Sequence, residues 1–198
     1  IDFKPDREPG KEILTVKNLC KSINGEEVLK NISFFFNSDN KIAVLSDNEL
    51  ATTLLFQIIA GEIEPDSGEI IWGQTITKDY FPKDNNYLFT QDVNLVDWLR
   101  QYSKEQDETY IRGFLGRMLF SGEEALKKVA VLSGGEKVRL MFSRMMLKKA
   151  NVIILDEPTN GLDPLGVKRI FNILKSMKDT TIIISSHMLS EIQNLCNK

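Results

Sequence analysis

The chain has 198 residues, of which 42% are hydrophobic and 27% charged, and its formal net charge is -3. These values are typical of one globular domain with a sizeable core, and the acidic balance argues against a protein that coats nucleic acid. No apolar run approaches the ~20 residues needed to span a bilayer, and the polar first ten residues predict no signal peptide. Cys20 and Cys196 lie far apart in the sequence, which favours reduced thiols in a cytoplasmic protein.

Apolar periodicity predicts strands alternating with helices along most of the chain, interrupted by a helical region in the middle. Strands are predicted at 12–19, 25–36, 41–46, 70–73, 76–81, 151–157 and 180–186. Helices are predicted at 51–60, in two or three stretches within 93–130, at 135–150, at about 164–177 and through Leu195. A turn is predicted at 64–70. This alternation indicates an α/β domain with a largely parallel central sheet and an inserted helical lobe.

Two acidic residues end a buried apolar strand. In VIILDEPTN (152–160), four apolar residues lead to Asp156 and Glu157. Carboxylates at the carboxyl end of a parallel strand lie where ligands bind in α/β proteins. One such group can hold Mg²⁺, and its neighbour can orient or deprotonate a water molecule. The alternative is an acidic pair that closes a strand at the surface.

A glycine-containing segment opens the long amphipathic helix. In LSGGE (132–136), Ser133 can cap the helix, Gly134 and Gly135 allow close backbone approach, and the first N–H groups of the helix favour phosphate. The alternative is a simple helix cap with two turn glycines.

The only histidine of the chain, His187, follows the apolar strand IIISS (182–186). A lone histidine is more often structural than catalytic. At the carboxyl end of a strand, however, its position also suits a contact with a γ-phosphate.

The order and separation of these segments resemble the nucleotide-binding domain of ATP-binding-cassette (ABC) proteins. LSGGEKVRL precedes VIILDEPTNGLD, and SSH follows at the family's separation. By this resemblance, 132–136 is the signature motif and 162–163 the D-loop. Asp156 is then the Walker B acid, Glu157 the catalytic carboxylate and His187 the switch histidine. The resemblance covers nearly the whole chain.

The family implies a fold, cofactors and a reaction. The implied fold is α/β, a P-loop NTPase cassette with a mainly parallel core sheet, an antiparallel β subdomain and a helical lobe at about 90–148. Residues 1–198 are expected to form one such domain, truncated at the C-terminus because the family usually adds further strands. In the family two cassettes face head to tail, with ATP and Mg²⁺ between the P-loop of one and the signature (Ser133 to Glu136 here) of the other. The implied reaction is phosphoryl transfer to water.

Within the family, different parts of this sequence resemble two branches. GEEVLKNISF (25–34) and the segment 48–73 are similar to the second cassette of ABC-F proteins, which are soluble twin-cassette proteins that act on ribosomes. Residues 160–164, Asn-Gly-Leu-Asp-Pro, depart from the Asn-His-Leu-Asp usual in ABC-F proteins, and the tail from 185 onward is similar to bacterial drug-export cassettes. A divergent family member, a recombinant and an engineered hybrid would each explain these two resemblances. The first residue, Ile, favours a fragment or a processed chain.

The segment VLSDNELATTLL (44–55) occupies the place of the P-loop but contains no glycine and no lysine. Against the pattern G-x-x-x-x-G-K-[ST], Ser46 and Ala51 replace glycines, Thr52 replaces lysine, and Thr53 keeps the Mg²⁺-ligating position beside Asp156. The lost charge-assisted phosphate contact is worth roughly 1.5–3 kcal/mol, or about ten- to a hundredfold in affinity. A non-glycine residue at a positive φ would cost about 1–2 kcal/mol more. The nucleotide-contacting residues expected here are Ser46, Asp47, Asn48, Glu49, Leu50, Ala51, Thr52, Thr53 and Leu54.

Two further positions depart from the family pattern. The adenine-stacking aromatic residue falls at Ile23, which offers no π-face to a base. The Q-loop glutamine falls at Lys83, whose positive charge can partly replace that of the missing lysine. Asp47 and Glu49 are expected to add repulsion toward polyphosphate.

The sequence leaves several functions open. The first is an ATP-hydrolysing cassette of ABC-F type with a degenerate P-loop, whose partners are a second cassette, in the same or another chain, and the ribosome. The second is a non-hydrolysing module that donates its signature to a partner cassette. An ATPase subunit of a drug-export transporter, bound to a membrane subunit without inserting into the membrane itself, and a scaffold without a nucleotide role are further alternatives.

Overall fold

The computed structural model describes residues 3–38 and 41–196, and these contain two β-sheets and six α-helices. The predicted domain 1–198 also includes residues 1, 2, 39, 40, 197 and 198, which lie outside the described part. The strands are β1 (Glu12–Ile23), β2 (Glu26–Asn37), β3 (Lys41–Val44), β4 (Ser67–Trp72), β5 (Lys78–Phe81), β6 (Val152–Asp156) and β7 (Thr181–Ser185). The helices are α1 (Glu49–Ala60), α2 (Leu95–Arg100), α3 (Glu108–Arg117), α4 (Gly134–Lys148), α5 (Pro164–Ser176) and α6 (Leu189–Leu195). Short 3₁₀ helices lie at Asn86–Phe89, Gly122–Leu126 and Val129–Val131.

The two sheets differ in strand direction. Four strands pair in parallel in the order β3-β7-β6-β5, and three pair antiparallel in the order β2-β1-β4. Every residue of β6 and β7 is buried, which explains why both read as continuous apolar runs. The predicted α/β class with a mainly parallel sheet and an antiparallel subdomain is confirmed.

Several element boundaries differ from the sequence-based expectation, among them the start of β4. The turn predicted at 64–70 is shorter, because β4 already begins at Ser67, where it pairs with Cys20 of β1. The Asp66 N–H donates to the Cys20 carbonyl at 3.0 Å, and the Asp66 carboxylate accepts from the Ser22 N–H at 2.6 Å. These contacts come from β1, more than 40 residues earlier in the chain, so local turn propensity could not reveal them.

The chain divides into two compact units. One unit, called here the sheet unit, comprises the described residues of Pro5–Lys83, Ala150–Pro158 and Met177–Lys198. Its core combines apolar residues of β1, β3, β6 and β7 with one face of α1. That face consists of Leu54, Leu55, Phe56, Ile58 and Ile59. Packing of α1 on the sheet holds the helix N-terminus near the carboxyl ends of the parallel strands, which are the edge at which the candidate site lies.

The second unit, called here the helical unit, comprises the described residues of Ile1–Lys4, Asp84–Lys149 and Thr159–Ser176. Trp98 is fully buried in it, and its ring centroid lies 5.2 Å from that of Phe89 and 4.9 Å from that of Tyr102. The Trp98 indole N–H donates to the Leu88 carbonyl at 2.8 Å, so the polar atom of this large side chain is satisfied.

Within residues 3–38 and 41–196, no helix is both long and apolar enough to cross a membrane. Cys20 and Cys196 are both free and partly exposed, as expected for reduced thiols.

Gly68 supplies a test of the antiparallel sheet. It has a φ of +103°, and a Cβ added there would lie 2.7 Å from backbone atoms of Lys17, Asn18 and Leu19. Gly68→Ala is therefore expected to lower the free energy of unfolding by about 2–4 kcal/mol. Gly25 has a φ of +83° but open space around the added atom, so Gly25→Ala should cost only about 1 kcal/mol. Urea unfolding of both variants measures the difference, and equal losses would contradict the close approach of β4 to β1.

Candidate functional site

The parallel sheet brings three chemistry-bearing segments to one edge. In register, Ser185 at the end of β7 pairs with Val44 of β3 on one side and with Asp156 of β6 on the other. The P-loop segment follows β3, Glu157 follows β6, and His187 follows β7. The fourth strand, β5, ends at Phe81 opposite Leu155, so Lys83 leaves the sheet at the same edge. Parallel pairing therefore collects residues from four distant parts of the sequence.

Ser185 links the two acidic residues of the Walker B segment. Its hydroxyl donates to Asp156 Oδ1 at 2.9 Å and accepts from the Glu157 N–H at 3.0 Å. Glu157 has a φ of +47°, the left-handed conformation that non-glycine residues seldom adopt, and this bend turns the chain out of β6 directly after Asp156. Sequence reasoning missed this bridge, for which the only signal was a serine at the end of an apolar strand.

Asp156 is 1% exposed, and burial raises the pKa of its carboxyl above the usual range, although the Thr53 and Ser185 hydroxyls and Lys83 act in the opposite direction. Its Oδ2 atom is buried and has no hydrogen-bond partner within the described part of the chain. A buried, unpartnered carboxylate oxygen with the Thr53 hydroxyl acting on the same group fits Mg²⁺, which takes oxygen ligands. That Thr53 and Asp156 form a metal-binding pair stays a prediction.

Four charged or titratable side chains meet beside this carboxylate, and are called here the charged cluster: Glu49, Lys83, Glu157 and His187. Lys83 Nζ lies 2.7 Å from Glu49 Oε2 and 3.4 Å from Glu157 Oε1. His187 Nε2 lies 2.8 Å from Glu157 Oε1 and 3.1 Å from Glu49 Oε1. Glu49 therefore bridges Lys83 and His187 from one side, and Glu157 bridges them from the other.

The charged cluster shifts the ionisation of its members. A hydrogen bond and charge attraction from Lys83 hold the pKa of Glu49 below its usual range. The same hydrogen bond raises the pKa of Lys83, and Glu157 adds to this effect. Both shifts favour the charged forms, so Glu49 and Lys83 form an ion pair at neutral pH. The sequence had predicted Glu49 as a nucleotide-contacting position and a source of repulsion toward phosphate, and its pairing with Lys83 was missed.

The P-loop segment forms an ordinary helix cap in this structure. The Asn48 side chain accepts from the Ala51 N–H at 3.2 Å, and the Asn48 N–H donates to the Ser46 hydroxyl at 3.0 Å. No residue from Ser46 to Thr53 has a positive φ, so the strain expected from replacing glycine is absent. The Ala51 N–H, which lies where a P-loop turns its amides toward phosphate, is engaged within the loop.

A pocket of about 360 Å³ lies at this edge of the sheet unit. It is lined by Val44, Leu45, Ser46, Asp47, Glu49, Thr52, Glu157, Ser185, Ser186, His187 and Leu189. Thr52 is only 8% exposed, and its hydroxyl donates to the Asn48 carbonyl at 3.4 Å. Two sequence-derived positions lie elsewhere: the Leu54 side chain is in the hydrophobic core, and Ile23 packs against that core at the end of β1.

The signature and the D-loop lie together in the helical unit. They line a groove of about 540 Å³, with Ser133, Gly135 and Glu136 among its residues along with Leu162 and Asp163. The Ser133 hydroxyl accepts from the Glu136 N–H at 3.3 Å, while the Glu136 carboxylate accepts from the Ser133 N–H at 2.9 Å. This reciprocal capping box confirms Ser133 as the cap of α4. Burial raises the pKa of Glu136, but the Ser133 N–H and Lys127 together hold it below the usual range.

Comparison with known proteins decides the family, because the sequence profile of the family described as "ABC transporter" matches residues 29–160. The chain belongs to the ABC transporter family. An uncharacterized ABC transporter ATP-binding protein of Bacillus subtilis, YkpA, is 52% identical over 200 residues, covering 100% of this chain and 37% of YkpA. ABC transporter F family member 5 of Arabidopsis thaliana is 28% identical, over 93% of this chain and 27% of that protein.

The solved structures agree with this assignment. The structure of cbiO1 from Clostridium perfringens, part of the ABC transporter complex cbiONQ, matches with a TM-score of 0.73 at 25% identity. The match covers 94% of this chain and 83% of that one. The predicted family and the ATP-binding cassette fold are therefore confirmed. The chain spans about a third of the length of the curated relatives it matches.

The Ser185 bridge makes a testable prediction. Ser185→Ala is expected to lower the free energy of unfolding by about 2 kcal/mol, because a buried carboxylate oxygen and the Glu157 N–H both lose their partner. Ser186→Ala is the matched control, since its hydroxyl accepts only the Met188 N–H, and should cost about 1 kcal/mol or less. Urea unfolding compares the two, and an equal loss would show that the bridge does not stabilise this edge of the sheet.

Proposed function

We propose that this chain is a cytoplasmic ATP-binding cassette of ABC-F type, which binds ATP with Mg²⁺ and hydrolyses it at a head-to-tail interface with a second cassette. The observation that carries the proposal is the convergence of Thr53, Asp156, Glu157 and His187 at one edge of the parallel sheet. These are four of the positions that phosphoryl transfer to water requires, and they come from three separate segments of the chain.

Thr53 and Asp156 are the residues proposed to hold Mg²⁺. The unpartnered Oδ2 of Asp156 supplies the buried acceptor, and Ser185 fixes the other oxygen so that the carboxylate cannot turn away. When bound, the ion would neutralise charge on the phosphate groups. Burial disfavours the ionised form of Asp156, and a bound cation would offset that cost by neutralising the charge of the carboxylate.

Glu157 is proposed to orient the attacking water and accept its proton. Its side chain is only 12% exposed, and the Ser185 hydroxyl holds its backbone in the left-handed conformation. His187 Nε2 lies 2.8 Å from Glu157 Oε1, and this contact limits the rotation of the Glu157 carboxylate. A carboxylate held in this way is positioned for general base catalysis.

Lys83 is proposed to supply the positive charge that the P-loop lacks at Thr52. Its ammonium group reaches the charged cluster from the end of β5 and contacts two carboxylates there. This contact places a cation beside the P-loop segment, although from a different strand than in the family pattern. A displaced lysine of this kind supports weak rather than absent phosphate binding.

The signature of the helical unit is proposed to contact the nucleotide of the partner cassette. Gly134 and Gly135 open α4, and the capping box holds the first turn of the helix in place. Amides at the start of such a helix favour phosphate.

ABC-F type is proposed from the resemblance of residues 25–34 and 48–73, and from a relative that carries the F-family name. The proposed partner is then the ribosome. Co-sedimentation of this chain with ribosomes in the presence of Mg-ATP tests the partner, and recovery only in the ribosome-free fraction would count against it.

A second candidate is a cassette that binds nucleotide poorly and donates its signature to an active partner. It is favoured by one specific observation, namely that Asn48 engages the Ala51 N–H while Thr52 offers no ammonium group. Selective loss in the P-loop beside a well-formed signature would produce such an asymmetric pair of sites.

Titration with labelled ATP and Mg²⁺ separates the two candidates. Binding with turnover that Glu157→Gln abolishes supports the hydrolysing cassette. No detectable binding, together with stimulation of a partner cassette that Ser133→Arg removes, supports the signature donor. If neither activity appears, both candidates are wrong.

Thr52→Lys is expected to strengthen binding of Mg-ATP at least severalfold, because it restores a charge-assisted phosphate contact in the pocket that Thr52 lines. Thr52→Met is the matched control, since it adds length without charge. Isothermal titration measures both affinities. An unchanged affinity in the lysine variant would contradict the placement of the phosphate site at this segment.

A further inference from the structure

We propose that the Glu49 carboxylate is an internal ligand of the Lys83 and His187 side chains, and that a polyphosphate binds at this edge only by displacing it. The inference rests on the proposed nucleotide site and adds a residue that determines its affinity. Glu49 would thus be more than a source of repulsion, because it occupies the Lys83 ammonium and the His187 imidazole that an incoming anion needs.

The geometry of Glu49 supports this role. Its two oxygens divide between two groups: Oε2 lies 2.7 Å from Lys83 Nζ, and Oε1 lies 3.1 Å from His187 Nε2. These partners come from the ends of β5 and β7, so a single anion joins two strand ends. A carboxylate that bridges two nitrogen donors makes the contacts expected of a phosphate oxygen pair.

The position of Glu49 in α1 points to the same conclusion. Glu49 is the first residue of this helix, where the helix dipole and the first N–H groups favour negative charge. A phosphate would be favoured at the same place for the same reason. The Glu49 carboxylate and an incoming phosphate therefore compete for the same position at the N-terminus of α1.

Charge balance explains why displacement is needed. With a neutral imidazole, the charged cluster holds two carboxylates and one ammonium group, so it carries a formal charge of -1. Lys83 lies closer to Glu49 than to Glu157, so Glu49 is its main counter-ion. Removing the Glu49 charge leaves Lys83 paired with Glu157 alone and makes the cluster neutral.

Exposure shows that displacement does not disrupt the fold. The Glu49 side chain is 58% exposed, whereas that of Glu157 is 12% exposed. Glu49 can therefore swing into solvent without unpacking the core, while Glu157 stays in place. The ion pairs that must break are largely solvated, so each is worth little and a strongly charged ligand can replace them.

The test is the affinity of Glu49→Gln for Mg-ATP and for inorganic tripolyphosphate, measured by isothermal titration. Because the variant removes the competing Glu49 carboxylate from Lys83 and His187, both ligands are expected to bind about fivefold tighter than to the unchanged chain. Glu62→Gln is the matched control: it removes the same charge just beyond the far end of α1, about 18 Å away, and should change neither affinity.

A double-mutant cycle tests whether Glu49 acts through Lys83. In a chain that already carries Lys83→Met, Glu49→Gln should improve binding much less than it does alone. An equal improvement in both backgrounds would overturn the proposal, because the effect would then be general repulsion rather than competition for a cation.

A readout without nucleotide separates this inference from the proposed function. His187 is the only histidine of the chain, so its imidazole NMR signals report its surroundings without ambiguity. Glu49→Gln should shift these signals and Glu62→Gln should not. Unchanged imidazole signals in Glu49→Gln would overturn the internal-ligand contact whether or not ATP binds.

The remaining outcomes are also distinct. If the unchanged chain binds ATP but Glu49→Gln binds no tighter, only this inference fails. If neither binds ATP or tripolyphosphate at millimolar concentration while the imidazole signals shift, the contact exists but the proposed site and the competition are both wrong.

Discussion

Parallel pairing of β7 with β3 and β6 is the constraint on which the candidate site depends. It places Ser185 beside both Val44 and Asp156, so the segments that follow three strands leave the sheet side by side. Ser185 then fixes the orientation of the Asp156 carboxylate and the bend at Glu157. None of these contacts is local in sequence, and all follow from the direction and register of buried strands.

The same edge combines two electrostatic environments. Asp156 is buried, with one carboxylate oxygen unpartnered among the described residues, and burial opposes its ionisation. At the same edge of the sheet, Glu49 and Lys83 are paired and partly solvated, and each favours the charge of the other. A buried carboxyl group with a raised pKa, next to an ion pair whose charged forms are stabilised, is typical of sites that bind charged ligands.

The segment 44–55, at the place of the P-loop, contains no lysine, and its local fold is regular. Asn48 caps α1 and no residue of the segment needs a left-handed conformation, so the backbone is unstrained without glycine. In the proposed site the positive charge comes instead from Lys83, which follows β5 and pairs with Glu49. The weakness of this arrangement is that the cation already has an acidic partner.

The sequence by itself determined the alternation of strands and helices, the acids at the end of β6 and the helix cap at Ser133, because each depends on local periodicity or on residues within a few positions of one another. It also determined the family, since the spacing of the signature and Walker B segments is linear information. Only the tertiary structure decided the start of β4, the Ser185 bridge and the pairing of Glu49 with Lys83 and His187. These depend on strand order and register, which join residues up to 138 positions apart through hydrogen bonds and charge attraction that no local pattern records.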